Sequence, residues 1–342
     1  MKLNPRLVAA LNWARSLAAL YVVVHHVANA GGWSHGAGAA LRFGQEAVIV
    51  FFLLSGFVIF ANEQERAIRP AGYYLRRLRR IYPPLIAAML ISTAVALLNG
   101  DFLARFRWEQ LFGTVFALQD ISFLKPGVIV DPYLGNDPLW SLSYEILFYL
   151  IFPPILMAWR WNASVTNHAI GAGCAALLVL FAIAPNHFSL VGAYFMIWWS
   201  GAMAAYTYTR GGRSVLALGS NYVWLLVITV LSAIIVYVRG FEGLGFYPFL
   251  IFRHFAVALL MLTLLYGPIG RLLSFPALRF SRLGGAIASI SYGLYVFHYP
   301  LLVQWNIDAT PYGFVFAALL LVAVAYATEH LLPRILPAAP RS

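Results

Sequence analysis

Ten apolar runs of about twenty residues follow one another along this chain, and that recurrence is the strongest constraint on its fold. A run of that length is long enough to cross a bilayer as a helix. Inside hydrocarbon every backbone N–H and C=O must be satisfied within the protein, which leaves a helix as the simplest solution for each run. The expectation is therefore an all-α, polytopic membrane bundle with spans at 7–27, 45–62, 81–98, 138–158, 167–184, 189–207, 220–238, 247–267, 286–305 and 313–332. A further apolar stretch, Leu111 to Leu118, is too short to cross and reads as interfacial or re-entrant. No internal repeat, low-complexity segment or appended soluble domain is visible, so residues 1–342 read as one membrane-embedded domain.

The charges sit between these runs. Only 10% of the residues are charged, against about 25% in an ordinary soluble domain. The net charge of +11 is thus no argument for nucleic acid, because it follows the pattern of cations that flank membrane spans. With the N-terminus inside, sixteen Lys and Arg fall in cytoplasmic segments and five in outer loops, while Arg15 and Arg253 lie within spans. Both termini are then cytoplasmic. The first apolar run lacks a small-residue cleavage site and reads as a retained span. A single cysteine, Cys174, excludes an internal disulfide and a cysteine-based metal site. No His, Asp and Glu show a metal-ligand spacing, so no metal is expected.

Ionisable residues inside spans are costly and mark functional candidates. Arg15 and His26 share the first span, eleven positions apart, which is close to three whole turns. They lie on one face, roughly 16 Å apart along the axis. The stretch YYLRRLRRIYPP brings Arg77 and Arg80 three positions apart, as helix neighbours, with Pro83 and Pro84 expected in the first turn of the third span. Arginine forks match phosphate oxygens, and such a cluster also suits anionic lipid head groups. Ser55-Gly56 permits close helix approach. Ser141 and Glu145 share a face of the fourth span, where a glutamate needs a partner or water, and a contact with His26 or an Arg is open to it. Arg253 must snorkel or pair, with Glu145 and Glu46 as candidate partners. Ser291, Tyr295 and His298 form a stripe suited to line a polar cavity.

Several of these segments, taken in order, resemble the membrane-bound acyltransferase-3 family. ARSLAALYVVVHH resembles its first helix, an Arg followed after ten residues by a His, and GQEAVIVFFLLSGFVIF resembles its second. RRLRRIYPP, DPLWSLSYEILFYLIFP and SISYGLYVFHYPLL resemble its Arg-x-x-Arg, Trp-Ser-Leu-x-x-Glu and Ser-Tyr-x-Leu-Tyr-x-x-His-x-Pro segments. The sequence departs from the family at Asn12, Ser16 and Ile49, where an acid, a glycine and an acid are frequent. The first helix and WSLSYE are most similar to the branch that decorates exopolysaccharides and other surface glycans.

The resemblance implies transfer of an acyl group, usually acetyl, from cytoplasmic acyl-CoA to a hydroxyl of a glycan or a lipid-linked glycan precursor. It also implies a bacterial inner-membrane location. It carries roles onto Arg15, Arg77 and Arg80 for the acyl-CoA and onto His26, and less directly Glu145, for catalysis; by analogy with a triad, two roles are open to Glu145, orienting His26 or stabilising its imidazolium. Acyl-CoA is then a co-substrate and no permanently bound cofactor is expected. The rival readings are a glycan or lipid transporter, and a non-catalytic partner of a glycan-assembly complex.

Overall fold

Backbone satisfaction in an apolar solvent explains why nearly every long element here is a helix. A computed structural model describes residues 4–32, 40–67, 69–267 and 279–335. Among them are ten helices long and apolar enough to cross a membrane. They are α1 (Pro5–Ala30), α2 (Gly44–Glu63), α3 (Pro70–Asn99), α4 (Trp140–Trp161), α5 (Ala163–Ile183), α6 (His187–Thr209), α7 (Ser220–Arg239), α8 (Phe249–Tyr266), α9 (Ser281–Tyr299) and α10 (Pro311–Tyr326). Each corresponds to one expected span, and the chain is a multi-pass membrane protein. Of the cations counted above, Lys2, Arg271 and Arg341 lie outside the described residues.

Local chemistry sets the helix ends. Asn4, Asn162, Asn186 and Thr310 each accept a backbone N–H of the first turn that follows, satisfying a donor the helix cannot. The Leu111 to Leu118 stretch supplies part of a short helix, Trp108–Val115, with Trp108 and Phe112 exposed and Gly113 and Thr114 buried. The third helix departs from expectation. It begins at Pro70, so Pro83 and Pro84 lie in its interior, not its first turn. The reason is that the arginine-rich stretch before them is itself helical, so α3 has 30 residues and reaches well beyond its apolar part.

Two ends of the bundle follow from cross-helix contacts. Glu63 pairs with Arg76, Glu65 with Arg160 and Glu329 with Arg80, which gathers these residues at the end where α1 begins, the basic end. At the opposite end, the loop end, Arg253 pairs with Glu46, Tyr247 N–H donates to Leu124 O, and Asn99 donates to Gln304 O.

α6 lies at the centre, with Tyr194, Trp198 and Trp199 fully buried. Its closest neighbour is α2. A Cβ on Gly56 would lie 1.9 Å from Trp198 O, and one on Gly201 would lie 2.0 Å from Leu53 O. The two backbones therefore touch through reciprocal glycines, as Ser55-Gly56 suggested. α1 lies along α9 in a similar way, and Ser16 Oγ donates to Gly284 O at 2.8 Å. The serine that replaces the frequent glycine thus ties α1 to α9.

Candidate active site

The residues between α1, α2, α3, α4 and α9 enclose two chambers, one above the other. The chamber toward the basic end has a volume of about 300 Å³. Arg15 of α1, Arg77 and Arg80 of α3, Ser55 of α2, Glu145 and Tyr149 of α4, and Ser291 and Tyr295 of α9 all line it. The three arginines are held differently. Arg76 and Arg77 share Glu63, at 2.6 and 3.0 Å, and Arg80 pairs with Glu329. Arg77 also lies over the rings of Tyr73 and Tyr149, each 5.7 Å to the centroid, and its Nε is buried without a partner. Arg15 makes no hydrogen bond or ion pair among the described residues. A half-buried guanidinium left unpaired in a chamber is a strong anion receptor.

The second chamber lies toward the loop end and has a volume of about 720 Å³. His25, His26 and Asn29 line it from α1, Glu46 from α2, Arg253 from α8, Tyr299 from α9, and Asp137 and Trp140 from the head of α4. Arg253 meets Glu46 at 2.6 Å, which settles its two candidate partners in favour of Glu46. Tyr299 donates to Asp137 at 3.2 Å. His26 forms no hydrogen bond among the described residues. Its ring stands 5.3 Å from His298, 5.1 Å from Tyr299 and 4.8 Å from His25, centroid to centroid. His298 Nδ1 faces the carbonyls of Tyr295 and Leu294 at 2.8 and 3.1 Å, so it carries the proton and leaves Nε2 bare and buried. His26 thus presents an imidazole with no hydrogen-bond partner among the described residues to the larger chamber.

The roof beside this chamber is a buried ion pair that sequence reasoning missed. Lys125 Nζ lies 2.5 Å from Asp120 Oδ1, with both side chains at 0% exposure. Tyr144 donates to Asp120 Oδ2 at 2.6 Å, and the ammonium sits over the Trp140 ring at 4.1 Å. Burial lowers the Lys125 pKa, and the adjoining carboxylate opposes that shift. Ile121 and Leu124, between the two charges in sequence, line the chamber. Lysine and aspartate five positions apart in an outer loop gave no sign of burial.

Most expected residues converge. Arg15, Arg77, Arg80, Glu145, Ser141, Ser291 and Tyr295 share the arginine chamber, and His26 and Arg253 share the other. Glu145 is the departure. Expected beside His26, to orient it or stabilise its imidazolium, it instead accepts from Ser55 Oγ at 2.9 Å and from the Tyr149 hydroxyl. It lies five residues beyond Trp140, roughly 7.5 Å deeper along α4, on the face toward α2. The carboxylates that share a chamber with His26 are Glu46, which is paired with Arg253, and Asp137, which stands just before Trp140 and read as loop. His298 packs beside His26 and lines neither chamber. Among the described residues no group of three or more His, Cys, Asp or Glu is disposed to hold a metal ion.

Comparison with known proteins fits this geometry. The family model described as an acyltransferase domain, of the acyltransferase-3 type, matches residues 8–330. The chain belongs to the acyltransferase-3 family. Its five family-like segments supply walls of both chambers of this acyltransferase-3 domain. Similar proteins include nodulation protein 10 of Rhizobium leguminosarum bv. viciae, 28% identical over 45% of this chain and 43% of that protein. Acyltransferase MdmB of Streptomyces mycarofaciens is 33% identical over 44% of this chain and 40% of its own length. A putative O-acetyltransferase of Staphylococcus aureus (strain COL) is 27% identical over 44% of this chain and 25% of its own length. The chain thus spans less than half the length of each of these relatives. No solved structure matches it.

Proposed function

We propose that this protein is a membrane O-acyltransferase that moves an acyl group, acetyl in the first instance, from acyl-CoA to a hydroxyl of a surface glycan or its lipid-linked precursor. One observation carries the reading: fixed cations and an unbonded imidazole occupy two adjoining chambers on opposite sides of a thin partition. Phosphates of CoA suit the Arg15, Arg77 and Arg80 chamber, where charge-assisted, forked hydrogen bonds are available. The surplus of cations at that end favours an orientation toward the cytoplasm, where acyl-CoA is made, and the family resemblance suggests a bacterial inner membrane.

The acceptor hydroxyl enters the larger chamber. Its mixed lining of Asn29, Glu46, Asp137 and Arg253 with aromatic Trp140 and Phe246 matches the alternating polar and apolar faces of a sugar. His26 takes the hydroxyl proton as the oxygen attacks the thioester carbonyl. The carbon–sulfur bond breaks, CoA leaves as thiolate toward the arginines, and the imidazolium returns the proton to it. Tyr299 and Asp137, on the same wall, hold the acceptor and His26 in register. Glu145 orders Ser55 and Tyr149 on the donor side and leaves proton transfer to His26.

The test is purified protein in lipid nanodiscs with radiolabelled acetyl-CoA and a glycan acceptor. The reading requires acceptor-dependent CoA release and label on the acceptor as an alkali-labile ester. Movement of glycan across the bilayer without CoA release would overturn it.

A further inference from the structure

Three rings stand against that of His26: those of His25, His298 and Tyr299. A histidine that serves as a base needs a further group to fix which of its nitrogens carries the proton. Glu145, one sequence candidate for that part, is committed to Ser55 and Tyr149. The carboxylates of the larger chamber are committed too, Glu46 to Arg253 and Asp137 to Tyr299. Both nitrogens of His25 are engaged, Nδ1 by Leu41 O and Nε2 by Asn29. Of the ring nitrogens around His26, only His298 Nε2 has no partner among the described residues.

That nitrogen is an acceptor held in place. His298 Nδ1–H faces the carbonyls of Tyr295 and Leu294, so Nε2 carries a lone pair and no proton. His298 is 0% exposed, and a buried acceptor left empty is costly. One turn back on α9, the Tyr295 hydroxyl donates to Pro138 O at 2.7 Å and lies 2.8 Å from Ser141 Oγ, which fixes the helix at this level. The His26 and His298 ring centres are 5.3 Å apart. Two imidazoles joined edge to edge by one N–H···N hydrogen bond have centres about 5 Å apart, so the spacing already suits that bond. What it requires is a turn of the His26 ring about χ2, a soft torsion whose axis runs through the ring centre.

We propose that His298 is the positioning residue for His26: its bare Nε2 accepts the N–H of His26 and so turns the other, unprotonated His26 nitrogen to the substrate hydroxyl. This rests on the acyl-transfer reading. As the hydroxyl oxygen attacks the thioester carbonyl, its proton moves to that nitrogen, and the imidazolium keeps its first N–H on His298 through a charge-assisted bond. The departing CoA thiolate then takes the new proton from His26. His298 ends the cycle as it began, with Nδ1–H on the two carbonyls throughout.

The test separates the two nitrogens of His298. Asparagine carries its amide nitrogen as many bonds from Cα as Nδ1 and has nothing at the Nε2 position, whereas glutamine carries an acceptor oxygen there. Wild type, His298→Asn and His298→Gln, each checked for a single size-exclusion peak and wild-type melting, are assayed for kcat and for the KM of acetyl-CoA. His298→Asn is expected to lower kcat by about tenfold or more, up to the 10² to 10⁴ of a lost general base, with KM within about twofold, and His298→Gln to hold kcat within about threefold. A helix-packing role reverses that order, because asparagine keeps the bond to the carbonyls and glutamine does not. Wild-type kcat in His298→Asn, or a loss in His298→Gln as large as in His298→Asn, overturns the proposal and leaves the acyl-transfer reading standing. Should a variant fail to fold, magic-angle-spinning NMR of wild type with ring-15N histidine decides. A nitrogen–nitrogen coupling between His26 and His298 across the hydrogen bond is expected, and its absence overturns the proposal. Absence of transfer from acetyl-CoA in wild type is a different result, which overturns the underlying reading together with the proposal.

Discussion

The two chambers differ in their polar residues: guanidiniums crowd the smaller one and the imidazoles lie only in the larger. The smaller one holds three guanidiniums, which do not change charge at any physiological pH, with carboxylates from Glu63 and Glu329 bracing two of them. The larger one holds two imidazoles, a tyrosine-bonded carboxylate and an Arg–Glu pair. Fixed charges are suited to gripping an anion, whereas titratable groups are suited to moving protons. On the proposed reading the division separates binding from chemistry in depth, and a residue's chamber says more about its surroundings than its proximity in sequence does. Trp140 and Glu145 are five positions apart and serve different chambers.

That comparison breaks most sharply at His26. His26→Ala should lower turnover by about 10² to 10⁴, the range of a lost general base, with acetyl-CoA affinity intact. Turnover near wild type in a transfer assay would end the assignment of chemistry to the larger chamber. Next in size is the roof. Lys125→Met leaves Asp120 buried and uncompensated, at a cost of about 3–5 kcal/mol, read as a lower melting temperature in detergent. The double variant with Asp120→Asn should recover most of it, and if it recovers none the pair is not what holds the loop.

Arg15→Ala comes third. Loss of one charge-assisted contact of about 1.5–3 kcal/mol should raise the KM for acyl-CoA by about tenfold or more while kcat holds. A drop confined to kcat would move Arg15 out of the binding role. The smallest effect sharpens the boundary between the chambers. Glu145→Gln keeps one acceptor for Ser55 and Tyr149, so a few-fold rise in acyl-CoA KM is expected, with an unaltered pH–rate profile. A shifted profile would return Glu145 to the side of His26.

Much of this arrangement was legible in the sequence. Apolar run length gave all ten crossings, and helical spacing gave the shared face of Arg15 and His26. The arginine pair could be read because three positions make helix neighbours, and Ser55-Gly56 because small residues permit backbone contact. What escaped depends on depth and on loops. Periodicity fixes the face of a residue within its own helix but not the level at which that helix sits against another, so the Ser55 and Tyr149 partners of Glu145 could not be read, and His26 and an Arg stayed open as candidates. Asp137 and Lys125 lie outside the periodic segments, and their burial arises from how the segment after α3 folds back onto the bundle. Pro83 and Pro84 misled because proline is so common in first turns, whereas here the helix starts at Pro70, more than three turns earlier.

The reciprocal glycines of α2 and α6 bear on how such a protein works through a cycle. Devices that open first to one side and then to the other depend on blocks that rock past each other. Here α2, one of the helices that line both chambers, is seated main chain on main chain against α6 in the middle of the bundle. On the proposed acyl-transfer reading, donor and acceptor would meet from opposite sides at a fixed point, and only the acyl group would cross.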